Sequence, residues 1–146
     1  MEFKYKLCAY AICKNESQFI DRWVDSMSEA DYICVLDTGS TDDSFLKLKL
    51  RGVHTEQRIF EPFDFSVARN ESLKLIPSWC DLAIWVDLDE YMEPGWRSIL
   101  EANFYGLMMD VIRSNPVEDF SGKPLERRDS ICCQRIHRVN YNNSKL

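Results

Sequence analysis

Two carboxylates, Asp87 and Asp89, follow the apolar run at residues 82–86 with one residue between them. A chain that leaves a strand can turn alternate carboxylates towards one cation beyond the edge of the sheet. Mg²⁺ and Mn²⁺ prefer such oxygen ligands and complete their shells with phosphate oxygens and water. A cation held there neutralises a departing diphosphate. The spacing therefore predicts a divalent-metal site for a phosphorylated ligand, with a solvated acidic loop as the alternative.

Polar residues also follow two earlier apolar runs, at residues 7–13 and 32–36. The residues after these two runs are Lys14, Asn15 and Glu16, and then Asp37, Thr38, Gly39 and Ser40. Ligands of open α/β sheets bind at the carboxyl ends of the strands, where these residues would lie. Gly39 allows the backbone to approach a ligand closely, and a helix that starts after Ser40 presents unpaired amide groups. We therefore expect a nucleotide to bind in this crevice.

The elements that must position these residues alternate between strands and helices. Apolar runs predict strands at residues 7–13, 32–36, 53–60 and 82–86. The predicted helices are residues 17–27, a helix from a capping box of Ser40 and Asp43 to Leu50, one from Asp64 or Ser66 towards Ile76, and residues 96–102. This alternation implies an α/β fold with a mostly parallel sheet and right-handed crossovers. A C-terminal strand pair is expected at residues 105–112 and 131–139.

The composition indicates one soluble domain that does not bind nucleic acid. The chain has 146 residues, of which 45% are hydrophobic, and this suits a single domain over residues 1–146 with one core. Its net charge of -6, without a basic cluster, repels a phosphate backbone. No apolar run is long enough to predict a membrane-spanning helix. The six cysteines are expected as free, buried thiols, which is typical of a protein in the cytoplasm.

Four segments, taken in order, resemble the motifs of glycosyltransferase family 2, and especially its bacterial branch of lipopolysaccharide core glucosyltransferases. They are residues 12–16, 35–42, 65–70 and 85–90, so the resemblance covers roughly the first 100 residues. It implies a GT-A fold, which is a Rossmann-like sheet flanked by helices. It also implies a Mn²⁺ or Mg²⁺ cofactor and a nucleoside-diphosphate sugar, commonly a UDP-sugar, as the donor.

The resemblance assigns the first two strand ends to the nucleoside. It places Asp37 at the base. It places Glu16, together with its neighbours, near the nucleoside, and the full set of residues expected on this side is Lys14, Asn15, Glu16, Asp37, Gly39 and Ser40. A simple helix-capping turn is the alternative role for Asp37.

The resemblance assigns three further residues to the rest of the donor. Arg69 would contact the nucleotide, since a guanidinium fork suits a diphosphate or the edge of a base. Asp87 would lie near the ribose and close to the metal, and Asp89 would hold the metal. A surface salt bridge with Glu71 or Glu61 is the alternative role for Arg69.

The C-terminal part resembles the family less closely. Residues 119–124 and 135–138 are similar to a turn and a strand that follow in the family, but family members usually continue with acceptor-side structure and a further histidine-containing segment. His137 is a candidate metal ligand or phosphate contact in its place, with a structural role as the alternative. The chain is therefore interpreted as a truncated catalytic domain, a reduced natural enzyme or a donor-binding remnant.

An inverting transfer needs a carboxylate that removes a proton from the acceptor hydroxyl. Asp119 and Glu118 are candidates for this base by their order in the chain, whereas Glu90 and Glu93 lie closer to the metal motif. The predicted function is thus metal-dependent, inverting transfer of a sugar to a hydroxyl group. The sequence does not indicate whether the acceptor is a saccharide, a lipid-linked molecule or a protein.

Three other classes share parts of this pattern. A non-catalytic nucleotide-sugar-binding module would carry the same residues and lack turnover. A Mg²⁺-dependent phosphohydrolase would use Asp87 as the nucleophile and Asp89 as the acid, but the Thr/Ser and Lys sites that should follow are not evident. An Asp37-Thr38-Gly39 sequence after an apolar strand is also typical of aspartic proteases, which are all-β proteins, whereas helices are predicted after the strands here.

Overall fold

A computed structural model describes residues 3–102 and the backbone of residues 136–138. The strands are β1 (Leu7–Cys13), β2 (Tyr32–Asp37), β3 (His54–Gln57), β4 (Leu82–Trp85) and β5 (Ile136–Arg138). The helices are α1 (Ser17–Ser26), α2 (Ser44–Leu50) and α3 (Phe65–Leu73), and residues 96–102 form a further helical segment. None of the helices within these residues is long and apolar enough to cross a membrane. Strands and helices therefore alternate along the chain as predicted.

The five strands form one sheet in the order β3-β2-β1-β4-β5. β1 pairs in parallel with β2 on one side and with β4 on the other, and β3 lies parallel to β2. β5 is antiparallel to β4. The direction of winding reverses between β1 and β4, and at such a point the loops at the carboxyl ends separate and leave a crevice. The expected α/β fold is confirmed, and the ends of β1, β2 and β4 lie at one edge.

β1 is buried on both faces because it lies between two other strands. Its odd-numbered residues pack into an apolar cluster with Ile20 and Trp23 of α1. Its residues Cys8 and Tyr10 pack on the opposite face with Leu75 after α3. Successive side chains of a strand point to opposite faces, so both apolar clusters draw on the same seven residues. This explains why β1 is a continuous apolar run rather than an alternating one.

The start of α2 differs from the prediction. A capping box of Ser40 and Asp43 was expected to begin this helix, but the helix begins at Ser44 and Asp43 makes no side-chain cap. The hydroxyl of Ser40 instead accepts a hydrogen bond from the Asn15 amide, with an N–O distance of 2.9 Å. The capping-box prediction is therefore wrong, because a contact with the neighbouring loop takes the hydroxyl group that would have capped the helix.

Other boundaries agree more closely with the sequence. Asp64 caps α3 as predicted, accepting hydrogen bonds from the amides of Ser66 and Val67 at 2.8 and 3.1 Å. The strand predicted at residues 53–60 shortens to β3, because the ladder with β2 ends where Gln57 pairs with Asp37. β5 lies within the strand predicted at residues 131–139, while its predicted partner at residues 105–112 lies outside the described residues.

The cysteines that the structure describes are free and buried, as predicted; they are Cys8, Cys13, Cys34 and Cys80. The sulfur atoms of Cys8 and Cys34 lie 3.6 Å apart. Burial, followed by the charges of nearby Asp37 and Glu16, raises the pKa of the Cys13 thiol to about 12. This thiol is therefore protonated and unreactive at neutral pH. Cys132 and Cys133 lie outside the described residues.

Arg97, in the helical segment at residues 96–102, is a buried cation that joins distant parts of the chain. Its guanidinium group donates to the carbonyl oxygens of Glu29 and Tyr5 at 2.7 and 2.6 Å, and to Asp31 Oδ2 at 2.9 Å. The same Asp31 oxygen accepts a hydrogen bond from the Leu7 amide at 2.8 Å. Partial burial opposes ionisation of Asp31, but the Leu7 amide and Arg97 outweigh it and lower the pKa of this carboxyl group. Arg97 thereby fixes the start of β1.

Candidate functional site

The loops after β1 and β2 are joined by the side chains of Asn15 and Ser40. Asn15 Oδ1 accepts hydrogen bonds from the amides of Thr41 and Asp42 at 2.7 and 3.2 Å, and the Asn15 amide donates to Ser40 Oγ. The φ angle of Asn15 is 53°, a left-handed conformation in which asparagine is enriched. Asn15 and Ser40 therefore shape the crevice, and Lys14 is exposed beside them.

Asp37, at the end of β2, is completely buried, with a relative exposure of 0%. Its Oδ1 accepts hydrogen bonds from the Gly39 and Ser40 amides at 2.9 and 2.8 Å, and from Gln57 Nε2 at 3.0 Å. Its Oδ2 is also buried and has no hydrogen-bond partner among residues 3–102. Gly39 has a φ of 115°, which L side chains rarely adopt. The turn thus uses one carboxylate oxygen of Asp37 and leaves the other without a donor.

Asp87 and Asp89 lie after β4 in different surroundings. Asp87 Oδ1 accepts a hydrogen bond from Trp85 Nε1 at 2.6 Å, and the Asp87 amide donates to Glu90 Oε2 at 3.1 Å. Asp89 is exposed, and Arg22 holds its backbone by donating to the Asp89 carbonyl oxygen at 2.8 Å. Asp87 is therefore held by its side chain, whereas Asp89 is held by its backbone and keeps an exposed carboxylate.

Glu16, from the loop after β1, interacts with the carboxylates of Asp87 and Asp89. Partial burial, followed by the negative charges of Asp89 and Asp87, raises the pKa of Glu16 from its ordinary value of 4.5 to about 7. Like charges that share a region disfavour further ionisation, and a bound cation would reverse that effect. Three carboxylates from two strand ends therefore interact in the crevice, as expected from the parallel sheet.

The described residues do not form a complete metal site. Among them, no three Asp, Glu, His or Cys side chains lie close enough to hold one ion. Asp87 and Asp89 nevertheless offer the oxygen ligands that hard cations take, and Mg²⁺ usually combines one or two carboxylates with phosphate oxygens and water. The donor set thus fits Mn²⁺ or Mg²⁺ bound together with a phosphorylated ligand.

Three predicted residues fall at or beyond the limit of the described chain. The backbone of His137 in β5 pairs with Ala83 in β4, four residues before Asp87. At about 3.3 Å per residue, this places the His137 backbone roughly 13 Å from the end of β4 that carries Asp87. Nothing further is described of the His137 side chain. Glu118 and Asp119, the predicted catalytic bases, lie outside the described residues.

Arg69, on α3, lies over an aromatic ring instead of making a surface salt bridge. Its guanidinium carbon is 4.8 Å from the centre of the Trp85 ring and 6.0 Å from that of Phe65. Glu71, one of the expected partners, pairs with Arg58 and Lys74. Within the described chain Arg69 has no salt bridge to an acidic side chain, so the alternative role, a surface salt bridge with Glu71 or Glu61, is not seen there.

Gln57 was not predicted as a site residue, and Trp85, which flanks the Asp87 motif, was expected to pack as a buried aromatic residue. Gln57 is the last residue of β3 and donates to the buried Asp37 carboxylate. Trp85 is the last residue of β4 and contacts both Arg69 and Asp87. Both occupy the carboxyl ends of parallel strands, where ligands of such sheets bind. Their position at a strand end is the signal that could have identified them.

We expect Glu16→Gln to change how stability depends on pH. The raised pKa of Glu16 means that the folded state binds this proton more tightly than the unfolded state does. The stabilisation is complete below pH 4.5 and is lost as the pH rises through about 7. Glutamine removes this dependence. The free energy of unfolding of the variant, relative to that of the wild type, should therefore be about 1 kcal/mol larger at pH 8 than at pH 4, after allowance for solvent screening.

Thermal unfolding of both proteins at pH 4 and pH 8 would measure this gain. Glu93→Gln is the matched control, because it removes an exposed carboxylate from the following loop. The difference in unfolding temperature between Glu16→Gln and the wild type should depend on pH. The corresponding difference for Glu93→Gln should change less with pH. Equal differences at both pH values for Glu16→Gln would show that Asp87 and Asp89 do not repel this group.

Comparison with known proteins identifies the fold. No family model and no curated protein matches the sequence. A mannosyltransferase from Pyrobaculum calidifontis, solved with GDP-mannose and Mn²⁺, matches 68% of this chain and 32% of its own length with a TM-score of 0.55 and 17% identity. A glucosyl-3-phosphoglycerate synthase from Mycobacterium tuberculosis, solved with UDP, Mn²⁺ and its product, matches 57% of this chain and 33% of its own with a TM-score of 0.47 and 21% identity.

The chain spans about a third of the length of either protein. At this level of identity the likeness to the mannosyltransferase shows the fold alone. The α/β sheet is therefore that of GT-A glycosyltransferases, as the sequence predicted.

Proposed function

We propose that this chain is the donor-binding core of a metal-dependent glycosyltransferase similar to family 2, which transfers a sugar from a UDP-sugar to an acceptor hydroxyl with inversion. The observation that carries the proposal is the buried Asp37 carboxylate at a strand end, one oxygen of which has no hydrogen-bond partner in the described chain. The mannosyltransferase with the same fold was solved with GDP-mannose and Mn²⁺, which supports a donor and a metal of these classes.

The hydrogen bonds of Asp37 favour uracil over guanine. Three donors already bind Oδ1, so only Oδ2 can accept a hydrogen bond from a base. Uracil presents a single imino N–H, whereas guanine presents an imino and an amino group side by side, and these need two acceptors. Cytosine has an acceptor at the ring position where uracil has its N–H. Gln57, an exposed residue whose amide nitrogen donates to Asp37 Oδ1, is proposed to contact a carbonyl group of the base with its second N–H.

Arg69, Asp87 and Asp89 are proposed for the ribose and the diphosphate. The Arg69 guanidinium offers a fork of N–H groups that suits phosphate oxygens. Asp87 would accept a hydrogen bond from a ribose hydroxyl, and Asp89, together with Asp87, would hold Mn²⁺ or Mg²⁺. When bound, the cation supplies positive charge that stabilises the diphosphate leaving group. The pKa of Glu16 is raised first by burial and then by the charges of Asp89 and Asp87, and the second of these causes supports the assignment, because it places negative charge where the cation would bind.

The acceptor side of the reaction is proposed for residues beyond the described chain. An inverting transfer needs a carboxylate base opposite the leaving group, and Asp119 and Glu118 are proposed for that role. His137 is left out of the proposed metal site, because its backbone pairs with Ala83, four residues before Asp87. A binding module that does not turn over is the rival function, because it would share every donor-site residue.

The test is calorimetric titration of the chain with UDP, GDP and UDP-glucose, each with and without Mn²⁺. We expect UDP to bind more tightly than GDP, and Mn²⁺ to increase the affinity for UDP about tenfold, a usual size for two coupled ligands. The increase should disappear in Asp89→Ala, because the exposed carboxylate that holds the metal is removed. Asp25→Ala is the control and should retain it, since Asp25 lies on α1 and pairs with Arg51 at the surface.

Each outcome addresses a different part of the proposal. If no nucleotide binds with or without Mn²⁺, the proposed donor site is wrong. If UDP binds but Asp89→Ala keeps the full effect of Mn²⁺, the metal ligand is misassigned. Release of UDP from UDP-glucose, measured with a coupled assay, separates an enzyme from a binding module, which would bind the donor without consuming it.

A further inference from the structure

Trp85 links two oppositely charged residues of the proposed donor site. It is the last residue of β4 and only 8% exposed. Its indole N–H donates to Asp87 Oδ1 at 2.6 Å, and the guanidinium carbon of Arg69 lies 4.8 Å from the ring centre. The ring of Tyr10 packs edge-on against it, with 5.2 Å between the ring centres and an interplanar angle of 86°. The indole thus packs against Tyr10 and contacts both charged residues.

The two contacts use different parts of the indole. Asp87 binds at the N–H edge, whereas Arg69 interacts with the ring, whose π electrons attract a cation. Both charged groups contact the same ring. Within the described chain, however, no salt bridge joins Arg69 to Asp87, and the salt bridges there involve other residues. Two opposite charges that paired with each other would satisfy their hydrogen bonds internally and compete with a ligand.

We propose that Trp85 is a positioning residue that holds Asp87 in one orientation and keeps Arg69 separate from it, so that both are free to bind the nucleoside diphosphate. This rests on the proposed function, since it concerns the same ligand. The side chain of Trp85 itself needs no contact with the ligand. Groups that orient a binding residue through a hydrogen bond commonly change affinity by 10- to 100-fold when they are replaced.

The decisive variant is Trp85→Phe, which keeps an aromatic face for Arg69 and removes the N–H that orients Asp87. We expect calorimetry with UDP and Mn²⁺ to show about tenfold weaker binding than in the wild type. Trp96→Phe is the matched control, because Trp96 is 5% exposed and its indole N–H donates to the Ser26 carbonyl oxygen at 2.9 Å. It should bind UDP within about twofold of the wild type.

A double-mutant cycle separates positioning from packing. In an Asp87→Ala background, Trp85→Phe should cost less than about twofold in affinity, because the carboxylate through which it acts is gone. An undiminished loss in that background would show that Trp85 acts through general packing, and the proposal would be overturned.

A measurement without ligand keeps the proposal testable even where a variant folds poorly. In the ligand-free protein, Asp87→Asn should shift the NMR resonance of the Trp85 indole N–H and leave that of Trp96 in place. An unchanged Trp85 resonance would mean that the hydrogen bond is absent and the proposal wrong. If the wild type binds no UDP, the proposed function fails; if it binds UDP and Trp85→Phe behaves like Trp96→Phe, this inference alone fails.

Discussion

Asp37→Asn is expected to weaken UDP binding by roughly 30- to 150-fold, or about 2–3 kcal/mol. The substitution keeps the shape of the side chain, and its carbonyl oxygen can still accept hydrogen bonds from the Gly39 and Ser40 amides. It replaces Oδ2, which has no partner in the described residues, with an NH₂ group. That group would face the imino N–H of uracil, so two donors would oppose each other. The buried N–H of the ligand would then have no acceptor.

The nucleotide itself provides a control for this experiment. Cytosine carries an acceptor where uracil carries its imino N–H, so CDP should lose much less affinity than UDP in the Asp37→Asn variant. A general loss of folding would weaken both nucleotides equally. Asp64→Asn is the matched substitution, because Asp64 caps α3 and asparagine caps helices equally well. The affinities for UDP and CDP are measured by calorimetry at matched folded fractions. If Asp37→Asn binds UDP as tightly as the wild type does, the main support for the proposed function is removed.

The largest loss of stability is expected from Arg97→Met, at about 3–5 kcal/mol. The guanidinium group is buried, with a relative exposure of 0% for Arg97, and donates to Asp31 and to the carbonyl oxygens of Glu29 and Tyr5. Methionine fills part of the volume but leaves these acceptors without their donor, and a partly buried acceptor that loses its donor costs part of its desolvation. Thermal unfolding followed by circular dichroism should show a midpoint lower by roughly 10 °C.

Two further variants show whether this loss comes from burial. Arg51→Met removes an arginine that pairs with Asp21 and Asp25 at the surface, and should cost no more than about 1 kcal/mol. Arg97→Lys keeps the charge without the fork of N–H groups and should fall between the two. Equal losses in Arg97→Met and Arg51→Met would contradict the role given to Arg97. Arg97 contacts the start of β1, whereas the proposed donor site lies at the carboxyl ends of the strands. The folded fraction of Arg97→Met should therefore still bind UDP.

The predicted donor site combines features that act at different ranges. In the proposed site the hydrogen bonds to Asp37 are short-range and would select the base, whereas the charges of Asp87, Asp89 and Glu16 would act together over the crevice. Glu16 reports this collective effect, because its pKa is raised to about 7 by burial and by both aspartates. Binding of a cation would lower that pKa and release a proton where Glu16 is protonated. Donor binding with Mn²⁺ should accordingly be tighter above pH 7 than below it.

The sequence by itself determined the strands and the edge at which the site lies. β1, β2 and β4 are central strands, and burial of both faces makes each of them a continuous apolar run that is easily recognised. The first polar residues after each run mark a carboxyl end, and parallel strands bring those ends to one edge. Asp37, Asp87 and Asp89 were therefore predictable as residues of one crevice, and so was the α/β fold.

The tertiary structure alone decided how these residues are held. Gln57 and Trp85 entered the site through contacts with Asp37, Arg69 and Asp87 that no local spacing indicates. The same is true of Ser40, which binds Asn15 across two loops in place of capping α2. Local patterns record which face of an element is apolar, because that depends on periodicity along the chain. Hydrogen bonds between loops depend instead on which strands become neighbours, and this is settled only when the sheet is assembled.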